Sequence, residues 1–151
     1  MIQFAKYCDY AVGVDLDTTK CNYSHQNASV YGLNETNFKV LHSDFLKLDT
    51  YGDVDFGFPL DGSQRFDAIF MSPPWGGTGY NRLPEYALEH IFPDFDAIIE
   101  KAVNYSSNLM LFLPRNTSIS DLIARLLPHQ SKLLGDARLA DTSQTIGAKG
   151  D

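Results

Sequence analysis

The residues with the densest chemistry are Ser72-Pro73-Pro74-Trp75, followed by Gly76 and Gly77. Neither proline can donate to a sheet ladder, and each fixes its own φ. Pro74 also holds Pro73 in an extended shape. The stretch is therefore a stiff lip that offers a hydroxyl, carbonyls without ladder partners and a flat aromatic plate. An exocyclic amine on a nucleobase is a poor nucleophile, because its lone pair is delocalised into the ring. Two acceptors that grip its hydrogens hold the nitrogen in line with an electrophile, and alignment of that kind supplies much of a barrier reduction. The Ser72 oxygen and the Pro73 carbonyl are candidate acceptors, and Trp75 can fix the plane of a base by stacking. A cationic base gains roughly 0.5–2 kcal/mol more on such a face. The same residues also suit a plain strand end with a diproline turn and a buried indole.

The elements that must position this lip alternate along the chain. Ala68, Ile69, Phe70 and Met71 form a short apolar run that reads as a buried strand, so the lip lies past its carboxyl end, where open α/β sheets bind ligands. Residues 2–10 read as the body of a helix with Phe4, Ala5 and Cys8 on one face. Ala11 to Asp15 reads as a buried parallel strand ending in an acid. In nucleotide-binding α/β folds an acid there accepts from ribose hydroxyls, which makes Asp15 a candidate and leaves Asp17 to cap the next helix. That helix covers 18–31 with Gly32 at its end. Phe38 to His42 is the next strand, and Ser43-Asp44-Phe45 follow its carboxyl end. Residues 49–65 are an Asp- and Gly-rich loop, longer than usual connections, which could carry Phe56 and Phe58 inward.

Beyond the lip, Gly76, Gly77 and Gly79 allow unusual backbone angles and a mobile lid, with Arg82 nearby. Pro93 through Tyr105 reads as a helix carrying Phe92, Phe95, Ile98 or Ile99, and Ala102 at helical spacing, with Pro93 in its first turn. Leu109 to Leu113 is wholly apolar, as expected of a central parallel strand buried on both faces. It ends at Pro114-Arg115-Asn116. A guanidinium fork there matches phosphate oxygens, and the other use for Arg115 is a salt bridge to an acid. Asn116 reads as shaping the turn. Ser120 is the expected cap of a last helix whose Leu122, Ile123, Leu126 and Leu127 face the sheet, ended by Pro128. Weak strand signals follow at Leu133-Leu134 and Thr145-Ile146. The alternation as a whole reads as a doubly wound α/β sandwich.

Composition bounds the function. A chain of 151 residues with 44% hydrophobic and 21% charged residues holds one domain with a real core. No apolar run has the length of a membrane span, and the N-terminus has no signal-peptide layout. Cys8 and Cys21 are the only cysteines and show no metal spacing, which fits an intracellular, reduced protein. A net charge of −7 argues against a broad phosphate-tracking surface, but not against a pocket that reads one nucleotide with a few cations.

A polar residue, two prolines and an aromatic after an apolar strand recur in amino-group methyltransferases. Ser72-Pro73-Pro74-Trp75-Gly76-Gly77 with Tyr80 resembles the signature of the trimethylguanosine synthase family, the RNA cap guanine-N2 methyltransferases. Weaker matches run in the same order: Ile2-Gln3-Phe4-Ala5, Val14-Asp15-Leu16-Asp17, Asn27-Ala28-Ser29-Val30-Tyr31-Gly32-Leu33, Asp44-Phe45-Leu46 and Phe112-Leu113-Pro114-Arg115-Asn116. The resemblance implies a class I S-adenosylmethionine-dependent methyltransferase, a Rossmann-like three-layer sandwich over 1–151. Family members place a strand and a glycine-rich loop directly before the match to Ile2-Gln3-Phe4-Ala5. The expectation is thus a domain lacking its first strand and that loop, either truncated or incomplete at the cofactor site.

The implied reaction is methyl transfer from S-adenosylmethionine to the exocyclic amine of 7-methylguanosine caps on small nuclear or nucleolar RNA, in the nucleus, by a monomer that acts on neither DNA nor membranes. Ser72 and Pro73 would orient the amine and Trp75 would stack on the base. Asn27 would read the base edge, and Tyr80 and Arg115 would hold phosphates. Asp15, Asp44, Phe45 and Pro73 would contact the cofactor, with Asp44 on the adenine amine and Phe45 over its ring. The residues also leave room for Asp44 merely turning the chain and for Tyr80 folding onto Pro84. No metal is implied. Two other readings stand beside this one: an enzyme methylating adenine in nucleic acid, and a non-catalytic cap-binding fragment.

Overall fold

Residues 1–48, 55–57 and 66–134 are described by the computed structural model of the chain, which divides into two units, Met1–Arg65 and Phe66–Asp151. The fold is α/β with parallel strands in both. Among the described residues no helix is long and apolar enough to cross a membrane.

In the first unit, the helix expected over 2–10 shrinks to α1 (Ile2–Ala5), because only Ala5 is buried while Phe4 and Cys8 are exposed. One buried contact holds a single turn but gives no apolar stripe on which a longer helix could pack. The strands β1 (Ala11–Asp15) and β2 (Phe38–His42) occupy the expected residues and pair in parallel, with Ala11 opposite Phe38 and Asp15 opposite His42. Parallel pairing needs a crossover, and α2 (Thr18–Val30) supplies it. The Asp17 carboxylate accepts from the N–H groups of Thr19 (2.8 Å) and Lys20 (3.2 Å), so Asp17 is the expected cap. Gly32, at φ +72°, takes the left-handed position after the helix. Ala5, Ala11, Ala28 and Phe38 form the core, with Met1, Ile2, Leu33 and Val40 packed against them. Cys21 is buried too, and burial raises its thiol pKa, which keeps it protonated. Of the long loop, Asp55 pairs with Lys39 and Phe56 is buried as expected, while Phe58 and the remainder lie outside the described residues.

In the second unit, β3 (Ile69–Met71) and β4 (Leu109–Leu111) pair in parallel, with Ile69 opposite Leu109. Their apolar runs suggested burial on both faces, yet Phe70, Met110 and Phe112 are 45%, 60% and 55% exposed. Phe70 and Met110 are register partners and Phe112 follows two residues on, so the three share one open face while Met71 is buried from the other. The helix expected from Pro93 starts later, as α3 (Phe95–Ala102). Its cap is Asp94, which accepts from the N–H groups of Asp96 (2.7 Å) and Ala97 (3.4 Å), and this places Pro93 outside the helix and leaves Phe92 exposed. Phe95, Ile98, Ile99 and Ala102 are buried at the anticipated spacing.

In the next helix, α4 (Ile119–Leu126), Ser118 rather than Ser120 holds the N-cap position, without a side-chain cap bond; its hydroxyl pairs with that of Ser120 (3.1 Å). Ile123 and Leu127 are exposed, so only Leu122 and Leu126 of the expected stripe are partly covered. Pro128 does end α4, but the chain continues through a 3-10 turn into α5 (Gln130–Leu134), so Leu133 and Leu134 are helical and not a strand. A proline in a first turn lacks only an N–H that would be unpaired anyway. The possible strand at Thr145-Ile146 lies outside the described residues.

Asp121 on α4 ties three segments together. Its carboxylate accepts from the Leu88 N–H (2.9 Å) and from Arg125 Nε (2.9 Å), while Arg125 Nη1 donates to Asp96 (2.6 Å). The Leu88 N–H and then the Arg125 guanidinium hold the Asp121 carboxyl below the usual range, against the opposing effect of burial. A depressed carboxyl stabilises the fold above its unfolded pKa, about 3.9, and that contribution is lost as pH falls through the lower folded value. Asp121→Asn is therefore expected to be less stable than wild type at neutral pH, with the gap narrowing below about pH 4. Urea unfolding at a series of pH values measures it, and a gap constant with pH would contradict the assignment.

Candidate functional site

The lip hangs from the last ladder bond of the second unit, the Phe112 N–H to the Met71 carbonyl (2.8 Å). Ser72 and Pro74 beyond it are exposed and Pro73 is half-buried. Among the described residues no hydrogen bond reaches the Ser72 hydroxyl or the carbonyls of Ser72, Pro73 and Pro74. Two prolines remove the donors that would have continued the sheet, and the acceptors are left without ladder partners.

Trp75 is half-buried, neither a core residue nor a free one. Its Nε1 donates to the Phe112 carbonyl (3.3 Å), its carbonyl accepts from the Tyr86 hydroxyl (3.2 Å), and its ring lies 5.3 Å from Phe112 at 38°. Tyr80 stands almost perpendicular to the indole, 83° with centroids 5.2 Å apart, and is half-buried. Edge-to-face geometry of this kind is an ordinary favourable aromatic contact. Gly76 and Gly77, at φ +79° and +83°, make the sharp exit from Trp75 that a side chain would strain. The carboxyl end of β4 brings Pro114-Arg115-Asn116 into the same unit. Arg115 is exposed, and among the described residues no ion pair involves it. Asn116 Nδ2 donates to the Tyr80 (3.2 Å) and Leu83 (2.9 Å) carbonyls, so this residue shapes more than its own turn.

In the first unit, Asp15 and Asp44 lie at one end of one sheet, because the Asp15–His42 pairing and the Ser43 N–H to Asp15 carbonyl bond (3.1 Å) bring the two strand ends level. Asp15 Oδ1 accepts from the Asp17 N–H (2.8 Å). Asp44 Oδ1 accepts from the Leu46 N–H (3.0 Å) and caps the 3-10 turn Phe45–Lys47, with Phe45 half-buried. Asp44 therefore does turn the chain, and its Oδ2 lies 3.8 Å from Lys47 Nζ, while among the described residues no hydrogen bond reaches Asp15 Oδ2. His42 Nε2 lies 3.0 Å from both the Leu16 carbonyl and Thr18 Oγ1 and stiffens this end.

Asn27 is exposed and sits beside Ala28, which packs with Ala11 and Phe38, the first residues of their strands. Within its unit the structure thus carries Asn27 to the amino ends of the strands, about 13 Å of strand away from Asp15 and Asp44. A helix that leaves the carboxyl end of a strand must run back along it, and the expected base-edge role has no support from this geometry.

Ribose hydroxyls and an adenine amine are donors, and the paired acids at the β1–β2 carboxyl end suit an adenosine. The indole with unclaimed acceptors beside it suits a nucleobase bearing an amine. Tyr86, 1% exposed, and the side-chain bonds of Asn116 were not legible beforehand. Their partners are Trp75, Tyr80 and Leu83, and no local periodicity or motif pairs residues so far apart.

Comparison with known proteins gives the same direction. The profile of a family described as RNA cap guanine-N2 methyltransferase matches residues 1–143. The chain is similar to the trimethylguanosine synthase of Schizosaccharomyces pombe, 33% identical over 124 residues, which are 82% of this chain and 48% of that protein. It is also similar to the trimethylguanosine synthase of Saccharomyces cerevisiae, 31% identical over 123 residues, which are 80% of this chain and 36% of that protein. The chain spans about half, or less, of the length of these curated relatives.

Proposed function

The chain belongs to the RNA cap guanine-N2 methyltransferase family, and from that premise we propose that it transfers methyl groups from S-adenosylmethionine to the exocyclic amine of 7-methylguanosine caps on small nuclear or nucleolar RNA in the nucleus, yielding 2,7-dimethyl- and 2,2,7-trimethylguanosine. Residues 1–151 then form one methyltransferase domain of the class I, Rossmann-like kind. The observation that carries the reading is the half-buried Trp75, tied by its Nε1 and its carbonyl, beyond the end of a parallel strand and next to acceptors that, among the described residues, nothing else uses.

Each residue has a physical task in this reading. Trp75 stacks on the base, and the positive charge of 7-methylguanine strengthens that contact. The Ser72 oxygen and the Pro73 carbonyl accept from the amine and hold its nitrogen on line. Arg115 forks onto cap phosphate oxygens and Tyr80 donates to a phosphate. The Asp15 and Asp44 carboxylates accept from a ribose and an adenine amine, with Phe45 covering the ring. S-Adenosylmethionine, when bound, supplies an electrophilic methyl on a sulfonium.

Radiolabelled methyl transfer from S-adenosylmethionine to a 7-methylated cap dinucleotide, an unmethylated cap and an adenine-containing oligonucleotide tests the proposal. Label is expected on the 7-methylated cap, with about a tenth of that rate or less on the unmethylated one (about 1.4 kcal/mol or more of discrimination). Preferential labelling of adenine would replace this function with the amino-group methylation of nucleic acid. Tight cap binding without transfer would leave a cap-binding protein.

A further inference from the structure

The segment from Trp75 to Tyr86 opens with two glycines at positive φ, and the 3-10 turn Thr78–Arg82 that follows is joined along the chain to Trp75 only through them. The position of the indole is therefore set from outside: its own Nε1 bonds the Phe112 carbonyl (3.3 Å), and the further bonds that hold its segment converge on two residues. Tyr86 donates its hydroxyl to the Trp75 carbonyl (3.2 Å), at the start of the segment. Asn116 donates Nδ2 to the Tyr80 and Leu83 carbonyls, at the far side of the same segment, and the Tyr80 ring meets the indole edge to face.

The two are also joined to each other. The Tyr86 N–H donates to the Asn116 carbonyl (2.8 Å), and the Tyr86 carbonyl accepts from the Ser118 N–H (2.9 Å), a short parallel bridge that fastens the segment to the chain beyond β4. Asn116 Oδ1 is buried with no hydrogen-bond partner among the described residues. An unsatisfied buried acceptor is unfavourable, so what this amide contributes is its two N–H bonds.

We propose that Tyr86 and Asn116 act together as positioning residues: they brace the Trp75–Tyr80 corner and so set the affinity for the methylated base. The effect on cap affinity rests on the function proposed above, whereas the bracing itself does not. Trp75 is the only tryptophan, so its fluorescence reports the brace directly.

The experiment compares wild type, Tyr86→Phe and Asn116→Ala by acrylamide quenching of Trp75 in the ligand-free protein, and by calorimetric titration with 7-methylguanosine triphosphate. Ile98→Val, which trims the core of the same unit away from the brace, controls for general loosening. Each brace variant is expected to show a larger quenching constant than either wild type or Ile98→Val, and cap-nucleotide affinity about three- to tenfold weaker. Wild-type quenching in both brace variants, or quenching no greater than that of Ile98→Val, would overturn the proposal. If Asn116→Ala does not fold, Tyr86→Phe decides alone, since it keeps the buried ring and removes one hydroxyl. If wild type itself fails to bind the nucleotide, the proposed function falls, and the quenching comparison still decides the brace.

Discussion

Trp75→Ala is expected to abolish measurable binding of a 7-methylguanosine cap dinucleotide. Stacking of a base on an aromatic side chain contributes about 1–3 kcal/mol, and the cationic form of the base adds roughly 0.5–2 kcal/mol on an indole. A combined loss of about 1.5–5 kcal/mol corresponds to roughly 10-fold to 5,000-fold in affinity. The indole is half-buried and its ring contacts are with Tyr80 and Phe112, so the variant should keep its fold, which circular dichroism checks. Trp75→Phe keeps a smaller ring and should retain part of the affinity while narrowing the preference for the methylated over the unmethylated cap, because the charge-dependent part of the contact is weakest there. Calorimetric titration of both variants with both caps reads all of this. Affinity unchanged in Trp75→Ala would remove the stacking role, and with it the main support for cap recognition.

The second large effect is expected at Arg115, and it should depend on phosphate. Arg115 is exposed at the end of β4, after a buried Pro114 whose carbonyl accepts from the Thr117 N–H (3.0 Å) and hydroxyl (2.7 Å), so the backbone that carries it is well held. A charge-assisted hydrogen bond contributes about 1.5–3 kcal/mol, so Arg115→Ala should bind a triphosphate-bridged cap roughly 10- to 150-fold more weakly. Binding of 7-methylguanosine nucleoside should be untouched. The slope of affinity against salt should also flatten, because one cation fewer meets phosphate. Arg115→Lys keeps the charge without the fork and should fall between the two. An equal loss for nucleoside and triphosphate cap would mean that Arg115 supports the local fold instead. Arg125 is the internal contrast: its guanidinium is committed to Asp96 and Asp121, so its loss should lower stability and leave cap affinity alone.

These two predictions are compatible with the acidity of the chain. A net charge of −7 leaves little sequence-independent attraction for RNA, so recognition must come from a few well-placed groups. An indole and an exposed guanidinium in one unit are groups of that kind.

What the sequence by itself determined is local. The limits of β1 and β2, the Asp17 cap, the glycine after α2 and the stiff exit from β3 all follow from rules that act over a handful of residues: apolar runs, side-chain caps and proline geometry. The buried positions of α3 follow as well, since helical periodicity needs no knowledge of the partner. Tertiary structure decided what depends on distant partners. It cut α1 to one turn, moved the caps to Asp94 and Ser118, made Leu133 and Leu134 helical, opened one face of β3 and β4, and carried Asn27 to the amino ends of the strands. It also tied Trp75 to Phe112 and Tyr86, and Tyr80 to Asn116, across 37, 11 and 36 positions of sequence. Propensity and capping energies are small and local, about 1 kcal/mol at a cap, whereas burial and the satisfaction of buried polar groups are summed over whatever the fold brings together, and that larger sum chose among the ends and partners that the local rules left open.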